Sequence, residues 1–149
     1  MADGGTCVWL TGRRRAGCST VARLVVEELL ASGLRAVLVD EAEVREHLAG
    51  GDWPSRRALR WLVGLLVDNG VTAVLAVPGD EAEREATRAA VAHFVEVFVD
   101  TPAAVCAARG ALPDPEFREP IAPELRVLTH DRDAAASAAQ VVSYLEGAE

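Results

Sequence analysis

Lysine is absent from this chain: all fifteen of its basic residues are arginine, set against 23 aspartates and glutamates. Chemistry that needs an ammonium group, such as a Schiff base or the point charge of a phosphate-binding loop, has no lysine to draw on. The net charge of −8 leaves no broad basic surface, which argues against nucleic acid as a partner while leaving room for a local basic site. Cysteine is scarce. Cys7, Cys18 and Cys106 are odd in number and widely spaced, the pattern of neither a disulfide framework nor a zinc site, so reduced thiols are expected. Long apolar runs are missing too, and the opening MADGGTCVWL lacks the basic-then-apolar order of a signal peptide; no membrane partner is expected, and a cytoplasmic location is.

What is present is enough apolar residue, 50% of 149, to bury the core of one domain over residues 1–149. The apolar run Cys7 to Thr11 reads as a strand, followed by a glycine-bounded loop and a helix from Ser19 to Ala31 closed by Gly33. A strand over Ala36 to Val39 ends at Asp40, and a helix follows near Glu43 to Leu48. The order repeats: helix Ser55 to Asp68, strand Val71 to Val77, helix Asp80 to Ala92, strand Val95 to Val99, then a helix running to about Arg109. The stretch Gly110 to Pro123, rich in proline, reads as irregular loop before a last strand near Arg126 to Leu128 and a helix from Ala134 to Leu145. Short strands, apolar on both faces and alternating with helices, predict an α/β fold: a three-layer arrangement with a parallel sheet of about five strands covered on both sides. The glycine-bounded loop Gly12 to Ser19, between the first strand and the first helix, makes it of P-loop type. In such a fold Gly12 to Ser19, Asp40 to Arg45, Pro78 to Asp80 and Asp100 to Pro102 should converge on one cleft at the carboxyl ends of the strands.

The loop Gly12-Arg13-Arg14-Arg15-Ala16-Gly17-Cys18-Ser19 has the spacing G-x-x-x-x-G-K-[ST], with cysteine in the lysine position and Thr20 next. Its glycines let backbone N–H groups turn inward around phosphate oxygens, with the positive end of the following helix aimed at the same place. Ser19 is placed to reach a magnesium ion. Cysteine cannot supply the charge that follows the β- and γ-phosphates during transfer. Arg13, Arg14 and Arg15 read either as phosphate ligands that compensate in part or as a solvated basic loop. Cys18 also has two readings. Its position at a helix N-terminus beside three arginines should lower the thiol pKa and make a reactive thiolate conceivable; the plainer reading, a neutral residue standing where lysine has been lost, is preferred.

With that loop in place, nearly the whole chain resembles adenylylsulfate kinase. Val8-Trp9-Leu10-Thr11-Gly12 is similar to the family's V-W-L-T-G, and Ala16-Gly17 with Ser19-Thr20 to its A-G-K-S-T. Asp40 to Arg45 stands where the family has D-G-D-x-V-R, and Phe94 to Pro102, with Cys106 and Arg109, follows F-x-E-V-x-V-D-T-P and a later C-x-x-R. Asp114-Pro115, Glu119-Pro120 and Pro123-Glu124-Leu125 resemble D-P-Y-E-A-P-x-x-P-E-L. The resemblance implies ATP and Mg2+ as cofactors and phosphorylation of the 3′-hydroxyl of adenosine 5′-phosphosulfate (APS). Carried over by position, Asp40, Ser19, Arg13 and Arg14 are the candidate catalytic residues, and Gly12, Arg15, Ala16, Gly17, Cys18, Ser19 and Thr20 the cofactor-binding ones. Ser19 and Asp40 are the candidate metal ligands, and Arg45, Trp53 and Arg57 the acceptor-binding residues.

The departures from the family fall on the chemistry. Ala42 takes the place of the second aspartate, Val77 and Gly79 interrupt the I-S-P-Y segment, Asp80 sits where an arginine usually follows, and the lid with its R-D-x-K-G-L-Y run is replaced by Gly110-Ala111-Leu112. Three readings follow: a degenerate kinase that still binds a nucleotide or another anionic small molecule, an active but reshaped kinase in which loop arginines replace the lysine, and a non-catalytic partner protein in a sulfur or natural-product pathway. A homodimer is compatible with all three.

Overall fold

A computed structural model describes residues 4–48 and 55–147. Five strands, β1 (Cys7–Thr11), β2 (Ala36–Asp40), β3 (Thr72–Ala76), β4 (Phe94–Asp100) and β5 (Leu125–Leu128), alternate with helices α1 (Cys18–Ala31), α2 (Glu41–Leu48), α3 (Arg56–Asp68), α4 (Glu81–Ala90), α5 (Ala103–Ala108) and α6 (Ala134–Gly147). The sheet is wholly parallel in the order β2-β3-β1-β4-β5. In the register of the central strand, Val8 faces Val74 on one side and Val95 on the other. All connections between neighbouring parallel strands are crossovers through helices, as parallel pairing requires.

The inner strands β1, β3 and β4 are covered on both faces, whereas the edge strands β2 and β5 leave Val37 and Leu128 exposed. On one side Val21, Val25 and Leu29 of α1 and Ala138, Val141 and Leu145 of α6 pack on Val8, Leu10, Val97 and Val99. On the other, Leu59, Val63 and Val67 of α3, spaced for one helical face, pack with Cys7, Trp9, Ala73 and Leu75. The Trp9 indole N–H donates to the Val77 carbonyl at 3.3 Å, so this buried aromatic also has its polar atom satisfied.

The expected helices and strands are all present, with ends displaced by a residue or two. Helix α2 starts two residues early, at Glu41, because Asp40 serves as its cap: its Oδ1 accepts from the Glu43 amide at 2.8 Å. Ser55 and Asp80 likewise lie outside the helices they were expected to open, and cap them, accepting from the Ala58 amide at 3.1 Å and the Glu83 amide at 2.8 Å.

One polar network is buried between α4 and β4. Arg84, 4% exposed, donates to the fully buried Glu96 at 2.5 Å and to the Gly79 carbonyl at 2.7 Å. Arg88 pairs with Glu124, whose Oε1 accepts from the Glu96 amide at 2.7 Å. This ties Glu124, the residue before β5, to the neighbouring strand β4.

Candidate functional site

The chain leaves β1 at Thr11 and turns through residues 12–17 before entering α1. A β-carbon on Gly12 would lie 2.7 Å from the Val99 carbonyl and 3.3 Å from the Cys18 Sγ, so only glycine fits at this crossing. The turn is closed by the Ala16 amide donating to the Arg13 carbonyl at 3.0 Å. Arg15 adopts φ 65 and Gly17 φ 102. Left-handed residues in such a turn aim backbone N–H groups into a concavity that suits an anion, and a non-glycine residue held at such a φ costs about 1–3 kcal/mol, a strain that clusters at ligand sites. The loop is braced from the next strand over: the Thr101 hydroxyl donates to the Ala16 carbonyl at 2.7 Å and shares a 2.7 Å contact with the Thr129 hydroxyl.

Cys18 is the first residue of α1. Its side chain packs on the core that holds Ala16 and Cys106, and burial pushes its thiol up to about 12, outweighing the lowering effect of a backbone hydrogen bond. The expectation of a lowered pKa is therefore overturned. Desolvation disfavours the thiolate more than the helix end and the nearby arginines favour it. At neutral pH the group at the lysine position carries no charge.

The three loop arginines are not equivalent. The Arg13 guanidinium lies 4.5 Å from the centroid of the Phe117 ring, within the range of a cation–π contact, while Arg14 and Arg15 are exposed. Phe117 pairs in turn with Phe98 at 6.4 Å. The loop is also touched by Arg109, which caps the C-terminus of α5 and donates from Nη1 to the Arg15 carbonyl at 3.0 Å. The segment that follows is pinned at several points. Ile121 donates its amide to Glu81 at 2.6 Å, Arg118 donates to the Pro115 and Phe117 carbonyls at 3.0 and 2.9 Å, and Glu124 holds Arg88.

Beside the loop lies an open cleft of about 450 Å³ lined by Ser19, Asp40, Glu41, Ala42 and Arg45. Ser19 and Asp40, from the start of α1 and the end of β2, are thus brought together, and Arg45 joins them from α2. Arg45 is bound by Glu41, with Nε and Nη2 at 3.1 and 2.9 Å from the same carboxylate oxygen. Ala42 stands in the lining and offers a methyl group. The convergence expected of four segments is narrower than foreseen: neither residues 78–80 nor Asp100 line this cleft. Asp80 is drawn into the cap of α4 and an ion pair with Arg56, and Asp100 accepts both Nε and Nη2 of Arg126 at 2.8 and 2.5 Å. Thr101, from the same segment, meets the loop instead.

Trp53 lies outside the described residues. Arg57 is exposed on α3 and is not among the cleft residues; its neighbour Arg56 is the one engaged, 2.7 Å from Glu83. Thr20 is exposed in the first turn of α1. Sequence reasoning passed over Thr101 and Phe117 as supports of the loop and gave Arg109 no role. The signal for Arg109 was its place in C-x-x-R at a helix end; Phe117, alone in a proline-rich stretch, gave none.

The cofactors that the resemblance implies can be tested against these residues. The concavity at residues 12–17 and the glycine demanded at position 12 fit a phosphate group. No group of three or more metal-ligating side chains occurs among the described residues, but Ser19 and Asp40 in one cleft fit magnesium, which keeps several waters and takes only one or two protein ligands when phosphate supplies the rest.

Comparison with known proteins agrees with this geometry. The family described as Adenylylsulphate kinase matches residues 4–112. The adenylyl-sulfate kinase of Deinococcus deserti is 39% identical over 114 residues, 70% of this chain and 62% of that protein, so the match spans a little under two thirds of that relative. The adenylyl-sulfate kinase of Shewanella amazonensis is 32% identical, with 95% of this chain and 84% of the relative covered. Among solved structures, the APS kinase CysC of Mycobacterium tuberculosis in complex with AMPPNP and APS superposes with a TM-score of 0.79 at 30% identity, over 97% of this chain and 99% of that one. In sheet order, in the loop after β1 and in the extent of these matches, the chain belongs to the adenylylsulfate kinase family.

Proposed function

We propose that this protein is a degenerate adenylylsulfate kinase, one that binds ATP or a related anion at residues 12–19 and transfers phosphate to APS poorly or not at all. The observation that carries the reading is Cys18: a neutral, core-packed thiol occupies the lysine position of a loop otherwise shaped for phosphate.

In this reading the backbone N–H groups of residues 13–15, 17 and 18 bind the phosphates, that of Ala16 being held by the Arg13 carbonyl, and Ser19 and Asp40 hold magnesium. Magnesium, when bound, neutralises charge on the β- and γ-phosphates. Arg45, at the far side of the cleft, orients the acceptor. Ala42 has no oxygen with which to place the attacking hydroxyl, and a segment after Arg109 pinned through Phe117, Ile121 and Glu124 does not close over two substrates to exclude water. Charge, placement and enclosure are separate parts of phosphoryl transfer, so their losses compound.

Calorimetric titration of ATP into the protein, paired with a labelled-ATP assay on APS, tests this reading. Measurable ATP binding with little product supports it. Absence of any nucleotide or anion binding contradicts it and favours a partner protein with a vestigial cleft.

A further inference from the structure

Four cations stand near the loop, and three of them belong to it. Of these three, Arg13 is already seated on Phe117; Arg14 and Arg15 are exposed, as is the fourth. The fourth, Arg109, comes from 94 residues away and lies across the loop: its Nη1 is 3.0 Å from the Arg15 carbonyl and 3.8 Å from where a β-carbon on Gly17 would sit. Its backbone is fixed at the end of α5, where the Gly110 amide donates to the Ala107 carbonyl at 2.9 Å and the Ala111 amide to the Cys106 carbonyl at 3.0 Å, with Gly110 at φ 99. This is the hydrogen-bond pattern that ends a helix sharply, and it aims the preceding side chain at one place.

Among the described residues no carboxylate pairs with Arg109. Its charge is therefore not neutralised locally, while Asp100, Glu96 and Glu41 each hold other arginines. A guanidinium is planar and carries several N–H donors in a fixed fork. One is used on the Arg15 carbonyl, and the others remain for phosphate oxygens.

We propose that Arg109 is the cation that binds the anion seated in the phosphate loop, in the electrostatic role a lysine at position 18 would have. The proposal rests on the reading of residues 12–19 as a phosphate site. It explains how a loop without lysine, in a chain without lysine, keeps affinity for polyphosphate. A guanidinium anchored on the loop backbone holds phosphate in place but does not travel with the transferred group, so affinity survives where catalysis does not.

The test is calorimetric titration of sodium tripolyphosphate, and separately of ATP with magnesium, into the full chain and into Arg109→Gln, Arg109→Lys and Cys18→Lys/Arg109→Gln. Arg109→Gln is expected to weaken tripolyphosphate binding about tenfold with an unchanged unliganded Tm and a shallower dependence on salt, and Arg109→Lys to keep most of the affinity. In the Cys18→Lys background the loss is expected to shrink, because two cations then serve one phosphate group. Equal tripolyphosphate affinity in wild type and Arg109→Gln overturns the proposal and leaves the phosphate-loop reading standing. So does a loss confined to ATP, which would place Arg109 on the base, or a loss that tracks a lowered Tm, which would make it a structural clasp. Wild-type protein that binds neither ligand overturns both.

Discussion

The Thr101 hydroxyl at the end of β4 donates a 2.7 Å hydrogen bond to the Ala16 carbonyl, across 85 positions of sequence and from a side chain that is almost wholly buried. This bond fixes the middle of the phosphate loop to the sheet, and it is relayed to β5 through Thr129. Thr101→Val keeps the shape but leaves the Ala16 carbonyl without this donor and the Thr129 hydroxyl with only the Asp100 carbonyl at 3.4 Å. A stability loss of about 1–3 kcal/mol is expected, measured as a shift of the urea midpoint, together with weaker nucleotide binding. Unchanged stability and affinity would mean that the loop is held by its own turn alone.

The half-buried Cys18 thiol, packed against the core, gives a pH dependence with a definite sign. A thiol whose pKa is raised from 9.0 to about 12 on folding keeps its proton in the native state while the unfolded chain has lost it, so stability falls as pH rises between those two values and is unaffected below about 8. The slope is about 1.4 kcal/mol per pH unit for each such thiol, and Cys7, also raised by burial, contributes in the same direction. Urea unfolding at pH 8 and pH 10 should show the loss, smaller in Cys18→Ala, and a thiol reagent at pH 8 should modify native Cys18 more slowly than free cysteine. Faster modification would restore the picture of an activated thiolate.

Much of this architecture was legible in the sequence. The apolar strands Cys7–Thr11 and Thr72–Ala76 are covered on both faces and read as such, and Gly12 and Gly17 marked the loop by spacing alone. What was not legible depends on packing. Whether Cys18 faces solvent and arginines or the core is decided by Ala16 and Cys106, which meet it only in the fold. Asp40 and Asp80 carry the same ambiguity, since a carboxylate at a strand's end can serve a ligand or cap the next helix, and the structure shows both as caps. Arg109 and Phe117 reach the loop from distant parts of the chain, and no local pattern encodes that reach.

The ion pair of Arg84 with Glu96 should behave as a buried pair does. Glu96 is fully buried and its carboxyl pKa is raised by burial despite Arg84, so removing one partner strands the other's charge. Glu96→Ala is expected to cost about 3–5 kcal/mol, whereas Arg84→Met with Glu96→Leu should recover much of the loss. Chemical denaturation of the two variants checks this; equal midpoints would show that the geometry of Gly79 and Glu124, not charge, governs the site.

Restoring the lysine should repair binding more than chemistry. Cys18→Lys adds a charged contact worth about 1.5–3 kcal/mol, or roughly ten- to a hundredfold in ATP affinity. Ala42 remains without an oxygen, so turnover should stay low until Ala42→Asp is added, and the double variant should gain more than the two single changes predict. Calorimetry and steady-state rates on the three variants separate the effects, and additive gains would show that the two positions act independently.

As proposed above, the phosphate loop persists here while phosphoryl transfer is poor or absent. The most direct measurement is the turnover of γ-labelled ATP with APS and magnesium by the wild-type protein at saturating substrate, beside an adenylylsulfate kinase that keeps its loop lysine. Loss of one positioned charge alone lowers such a rate by about 10²–10³, and with Ala42 in the cleft and the segment after Arg109 pinned, a rate at least that far below the reference is expected. Magnesium-dependent turnover within about tenfold of the reference would contradict it and make this chain an active, reshaped kinase.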